Sequence, residues 1–201
     1  MGTVLAIVLF SALIVAGVVV FVRGRRARTG VGGRGTGGLP AAPADPPPSG
    51  VRTLKPGDVV NHDGGDWIVE GTLRLEQDGF PWQEHRLVDG ERSLWLSVED
   101  DEGLEVVVWE RGSAAGLEPG PGQLTHDGVT YELDERGEAN FTAEGSTATA
   151  ASGRVEFADY AAGERRLSFE RYGQDAGWEV GVGIVVSEHS LDIYPGRGGA
   201  G

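Results

Sequence analysis

The chain has no cysteine and a single lysine. Without cysteine there are no disulfides and no thiolate metal ligands, so the fold rests on apolar burial and hydrogen bonding alone. With Lys55 the only lysine, the remaining side-chain cations are arginines. Together with abundant Ala, Gly and Val, this is the composition expected of a GC-rich bacterial genome. A net positive balance is also missing from most of the chain. Residues 1–50 hold five Arg and one acid, a net +4, whereas residues 51–201 hold 12 basic and 30 acidic residues, a net −18. A globular part that acidic repels phosphate backbones, which argues against a nucleic-acid partner. Also missing are a nucleophile elbow, a phosphate-binding loop and a zinc-binding helix motif. Gly30–Gly35 matches a dinucleotide fingerprint in letters, but no strand precedes it and no amphipathic helix follows.

Charge is absent altogether from Val4 to Val22, 19 residues rich in Val, Ile, Leu and Ala. A helix of that length spans ~28 Å, close to the hydrocarbon thickness of a bilayer. The competing reading is a cleaved signal peptide. No Lys or Arg precedes the run, and Arg23, Arg25, Arg26 and Arg28 follow it directly. Basic residues beside a span stay in the cytoplasm, so residues 1–22 read as a single-pass anchor in the cell membrane with the C-terminal part cytoplasmic. Residues 23–53 form an Arg-, Gly- and Pro-rich linker that cannot bury a core and reaches on the order of 30 Å.

From residue 54 to 195 the pattern changes to short alternating runs divided by Gly, Asp, Asn and Pro turns. No amphipathic helical period is visible, so the domain is expected to be all-β. Expected strands are 59–62, 66–75, 82–88, 92–98 and 104–111, then 123–126, 129–134, 139–143, 154–160, 165–172, 178–186 and 190–194. Residues 196–201 read as a disordered tail. Pro81 to Glu99 carries the clearest hairpin, turning at Asp89-Gly90, where a type I′ loop needs positive φ at both positions. That loop sets Glu84 opposite Trp95 and Trp82 opposite Ser97, with His85 on the other face. A three-residue loop including Glu91 would shift one strand and exchange its faces. Apolar side chains lie on both faces of the pair, which places it inside a sandwich or barrel.

The domain reads as a duplication, with halves at about 56–111 and 121–194. His62-Asp-Gly-Gly-Asp-Trp-Ile-Val69 parallels His126-Asp-Gly-Val-Thr-Tyr-Glu-Leu133. Gly90-Glu-Arg-Ser-Leu-Trp-Leu96 parallels Gly163-Glu-Arg-Arg-Leu-Ser-Phe169, and Gly103-Leu-Glu-Val-Val-Val108 parallels Gly177-Trp-Glu-Val-Gly-Val182. Three matches in the same order mark an internal repeat, with one insertion near Ser146–Gly153. Each half is expected to be an antiparallel meander with one apolar face, the two faces packing together as the core.

Pro56-Gly57-Asp58, the Trp67-Ile-Val69 run before Gly71, and Trp82-x-Glu84-His85-x-Leu87 with Trp95-Leu96 together resemble the family known as domain of unknown function 4178, in the membrane-anchored form found in actinobacteria. The resemblance covers roughly Leu54 to Pro195. That family commonly has Tyr where this chain has His85. The resemblance implies no established activity.

The residues themselves name no catalytic, metal or cofactor site. His62 and His126 precede Asp-Gly turns and read as hairpin punctuation. Glu84, Glu99, Asp159, Glu170 and Glu179 fall in or near strands, where a close pair could support hydrolysis. Trp82, Glu84, His85 and Trp95 are the candidate interaction or pocket residues. The leading expectation is a non-enzymatic domain, tethered at the cytoplasmic face and binding a cytoplasmic or membrane protein partner. The alternative is a small-ligand-binding or hydrolytic β-barrel using Glu84 with a nearby His or carboxylate. A pocket holding Glu84 beside a second carboxylate or His would favour the alternative.

Overall fold

The computed structural model describes residues 50–101, 103–113, 117–120 and 122–196. The apolar run at 4–22, nearly all of the linker and the tail from residue 197 lie outside the described residues. Among the described residues eleven strands form one sheet. They are β1 (Val59–His62), β2 (Gly65–Gln77), β3 (Phe80–Asp89), β4 (Arg92–Asp100), β5 (Leu104–Arg111), β6 (Gln123–His126), β7 (Val129–Gly145), β8 (Ser152–Ala162), β9 (Arg165–Tyr172), β10 (Glu179–Val185) and β11 (Asp192–Tyr194). No helix among these residues is long and apolar enough to cross a membrane.

Local chemistry sets the hairpins. Asp63-Gly64 and Asp127-Gly128 have positive φ at both residues, as a type I′ turn requires, and each closes a two-residue loop after a histidine. The hairpin of β3 and β4 turns differently from the expectation. Its loop is Gly90-Glu91, with positive φ at Gly90 alone, and Asp89 pairs with Arg92. This is the pattern of a type II′ turn, which needs only one glycine, at its first central position. It gains one more strand pair, supported by an Arg92–Asp89 ion pair. The register therefore moves by two residues: Trp82 faces Glu99, Glu84 faces Ser97 and Arg86 faces Trp95. A two-residue shift keeps every side chain on its expected face. The same Gly-Glu turn recurs at Gly163-Glu164.

The repeat is complete at the level of strand order. Around the sheet the strands run β11-β1-β2-β3-β4-β5-β10-β9-β8-β7-β6, so the second half mirrors the first. Trp67 pairs with Val60 of β1, and its counterpart Tyr131 pairs with Leu124 of β6; Trp67 and Tyr131 are both buried. A bulge interrupts β2 between Val69 and Gly71 and β7 between Leu133 and Glu135, at equivalent places. The insertion lies where β7 and β8 are joined by six residues and β2 and β3 by two.

Of the sandwich or barrel that the sequence allowed, the chain forms the barrel, and the halves do not pack face to face. They join edge to edge, β5 to β10 and β2 to β7, closing β2-β3-β4-β5-β10-β9-β8-β7 into an eight-stranded barrel. The apolar outer faces are covered instead by short flaps. Val51, Leu54, Val60 and Leu191 cover Trp67, Leu87, Leu96 and Val108 on one side. Leu117 and Leu124 pack with Tyr131, Tyr160, Leu167 and Phe169 on the other. Strand β7 is continuous through Glu135–Glu138, where the sequence suggested a break. Gly137 sits inside this strand against the movable end of the Gln77 side chain, not in a turn.

Asp58 of the Pro-Gly-Asp motif is fully buried and fastens the two ends of the domain. Its carboxylate accepts hydrogen bonds from Lys55 N (3.1 Å), Lys55 Nζ (2.9 Å) and Gly196 N (2.8 Å). Asp58→Ala leaves those donors without this acceptor and is expected to cost ~2–3 kcal/mol, the usual worth of hydrogen bonds to a buried charge. Asp58→Asn, which keeps an acceptor oxygen, should cost less. Denaturant unfolding checks this, and a loss under ~0.5 kcal/mol in Asp58→Ala would show that the clasp does not hold the domain.

Candidate functional site

Alternation along each barrel strand sends one row of side chains inward. At one level the inward row is apolar and closed. Leu73, Leu75, Ala139, Phe141, Val155 and Phe157 form a cluster with Trp82, Trp95 and Tyr172 packed against it. Trp82 meets Phe157, and Phe141 meets Tyr172, in edge-to-face contacts. Beyond this cluster the barrel is not filled. A chamber of about 730 Å³ remains, lined by side chains from every barrel strand.

The chamber wall is acidic. Eleven Asp and Glu line it against three Arg, so the cavity, not only the outer surface, carries the negative excess of the domain. At its centre Glu84 of β3 meets Glu170 of β9 in a carboxyl–carboxyl hydrogen bond. These two strands stand opposite each other in the ring, so the contact crosses the barrel. Trp82 Nε1 donates to Glu84 Oε1 at 3.1 Å, and the Tyr172 hydroxyl donates to Glu170 Oε2 at 3.2 Å. Asp159 of β8 lies beside the pair and receives a hydrogen bond from Ser168, its cross-strand partner. Its Oδ1 is buried and has no hydrogen-bond partner among the described residues.

Burial of charge is the main force on these carboxyls. It pushes Glu84 up to about 7, opposed by the Trp82 hydrogen bond and reinforced by Asp159. It pushes Asp159 up to about 7 and Glu170 well above the ordinary glutamate range, where the charge on Glu84 adds to the effect. Tyr172 is raised by burial and by the same acids. Glu99, near one mouth, is raised by burial and by Glu135, Glu105, Asp101 and Asp134 around it.

None of the three lining arginines neutralises the centre. Arg166 is held by Glu105 at 2.6 Å, Arg111 by Glu179 at 3.3 Å, and Arg86 by Glu70. Trp109 of β5 donates from Nε1 to Ser97 Oγ at 2.9 Å. It lies over Gly181 and Gly183, and a Cβ on Gly183 would come within 2.5 Å of the ring. Glycine is therefore what admits this third tryptophan to the wall.

Of the four residues singled out in the sequence, Trp82, Glu84 and Trp95 line the chamber. His85 does not. It points out of the barrel, fully buried beneath the first flap, with Nδ1 2.9 Å from Thr72 Oγ1. Burial lowers its pKa to about 4, so it is neutral at physiological pH. The partners of Glu84 are carboxyls. Asp159 and Glu170 were visible as strand carboxylates, but only strand pairing brings them to Glu84. The repeat held a usable signal: the first-half pair Glu84–Ser97 corresponds to the second-half pair Phe157–Glu170. Each half thus contributes one inward acid, from opposite members of equivalent pairs.

These features define a closed antiparallel β-barrel domain, built by duplication, that keeps an acid-centred chamber. The chain belongs to the family described as Domain of unknown function (DUF4178), whose model matches residues 55–188. It is 40% identical over 204 residues to an uncharacterized protein of Mycobacterium bovis and to uncharacterized proteins of two Mycobacterium tuberculosis strains, with 97% of each chain covered. No solved structure matches it.

The raised carboxyls make stability depend on pH in a definite direction. An acid whose folded pKa exceeds its unfolded value stabilises the fold while protonated, and that contribution is lost as pH rises through the folded pKa. For Glu84 the loss runs from its ordinary 4.5 to about 7, and for Asp159 from 3.8 to about 7. His85, lowered from 6.5 to about 4, acts in the opposite sense, its contribution growing with pH over that lower range. The acid effect is thus least obscured between pH 6.5 and 7, above the window of His85. Tm is expected to fall across that interval, and Glu84→Gln with Asp159→Asn should flatten the fall. A Tm that rises there in the parent protein would show that the carboxyls are ionised and solvated.

Proposed function

We propose that the barrel is a binding module for a small molecule, carried on a protein anchored in the membrane by residues 4–22. The observation that carries this reading is the chamber with Glu84 and a second carboxyl, Glu170, in contact at its centre. An eight-stranded barrel is just wide enough to be filled by side chains or to hold one small ligand, and about 730 Å³ falls within the usual range of ligand pockets. Partly buried carboxyls lining an unfilled cavity reduce stability, and a bound molecule is the ordinary reason to retain them. Glu170 donates to Glu84, so Glu84 is already paired rather than arranged as a lone base beside a nucleophile. This favours binding over hydrolysis.

The membrane anchor is supported by the uncharged run, the four arginines after it, and an alignment with the mycobacterial relatives that extends over 97% of both chains. Docking of a protein partner has a narrower basis. Ile68 and Tyr194 are 52% and 55% exposed and flank Val59 across β11, β1 and β2, forming a short apolar row on the outer surface.

Ligand-detected NMR of a fragment library against the full chain in lipid nanodiscs tests the barrel reading. Fragments should give signals with the parent protein that empty nanodiscs lack, and those signals should weaken or vanish in Ser97→Phe, which projects a ring into the chamber opposite Glu84. Signals that persist unchanged in a folded Ser97→Phe protein would place binding outside the barrel.

A further inference from the structure

We propose that the chamber's ligand is an organic cation, a primary or secondary alkylammonium with an apolar body. This rests on the small-ligand reading above and names the chemistry that the site would select.

Three observations converge. The first is a missing counter-charge. Arg86, Arg111 and Arg166 line the chamber, yet each is paired with a more peripheral acid, and none bridges to Glu84, Asp159 or Glu170. An ammonium placed among those carboxyls supplies the cation that the protein withholds. The second is an unused acceptor. Asp159 Oδ1 is buried, accepts no hydrogen bond among the described residues, and belongs to a chamber-lining side chain. An acceptor of that kind calls for an N–H or O–H donor from the ligand, and a charge-assisted N–H is the strongest available. The third is the wall. Trp82, Trp95 and Trp109 present rings to the same space, and indole faces attract ammonium groups while their hydrocarbon surface covers an apolar body.

The approach has the same character. Glu99, Asp101, Glu105, Asp134 and Glu135 gather near one mouth, and Arg166, which also lines the chamber, is tied to Glu105. A mouth of one sign raises the local concentration of ligands of the other sign and repels anions. A metal ion fits less well: among the described residues no group of three or more His, Asp or Glu is arranged to hold one.

The test uses three probes of nearly equal shape against the full chain in nanodiscs at pH 7.5: 2-phenylethylamine, 2-phenylethanol and 3-phenylpropanoate. Quenching or shift of tryptophan fluorescence reports occupancy, because three of the five tryptophans line the chamber. The amine should bind at least about tenfold tighter than the alcohol, as one charge-assisted hydrogen bond is worth, and the carboxylate should not bind. In Glu84→Gln with Glu170→Gln, checked for folding by its thermal melt, the amine's advantage should disappear. If the parent protein binds the alcohol as tightly as the amine, the cation assignment is wrong and the small-ligand reading stands. An amine advantage that survives the double variant also overturns the assignment. If none of the three binds at millimolar concentration, both readings fall.

Discussion

The structure depends on one pairing, that of β2 with β7. Six residue pairs from Gly71–Gly145 to Glu76–Asn140 join the outermost long strands of the two halves and turn an open sheet into a ring. The seam starts where a side chain is sterically excluded: a Cβ on Gly71 would lie 2.6 Å from Ser146 carbonyl atoms, and one on Gly145 2.4 Å from the Glu70 carbonyl. Gly145 also has a φ of 73°, which glycine adopts at little cost. Closure removes two sheet edges and fixes what faces inward for the length of every barrel strand. The other seam, β5 with β10, sets Trp109 against Gly183 and opens the wall enough for the ring to enter.

Closure also explains why the two outer faces needed covers. A ring of eight strands with apolar residues on both surfaces has an outer face that an isolated barrel would leave in water. β1, β11 and the Val51–Thr53 turn cover one side, and β6 with Leu117 covers the other. Apolar burial is thus displaced to the outside and to one inner layer. That displacement frees the remaining interior for polar chemistry. A sandwich would have used the same inward rows to fill its core. The acids at the chamber centre are tolerated because hydrogen bonds from Trp82, Tyr172 and Ser168 partly offset their desolvation.

Much of this was legible in the residues, and the limits have physical causes. The starts and ends of β1, β5, β6 and β9 follow directly from apolar alternation and Asp-Gly or Gly-Glu turns, because those signals are local. The duplication was legible because its three matches kept their order. The separate faces of Glu84 and His85 followed from the two-residue strand period, which survives the register shift at Gly90-Glu91. The closing seam was not legible. Pairing of Gly71 with Gly145 joins distant residues, and nothing in either strand's own pattern distinguishes it from a free edge. The meeting of Glu84 with Glu170 inherits that difficulty, since it exists only once the ring is closed. The break expected between 134 and 139 does not occur, and β7 runs through Gly137 without a turn.

Glu84 and Glu170, meeting across the closed barrel, are expected to share a proton at neutral pH. Carbon-13 NMR of the glutamate side-chain carboxyls, assigned through Glu84→Gln and Glu170→Gln, tests it directly. At pH 7 the two carboxyls together should still hold a proton, and removing either residue should shift the titration of the other. Two carboxyls that both titrate independently near 4.5, the ordinary glutamate value, would contradict it and would mean that the chamber is open to bulk water.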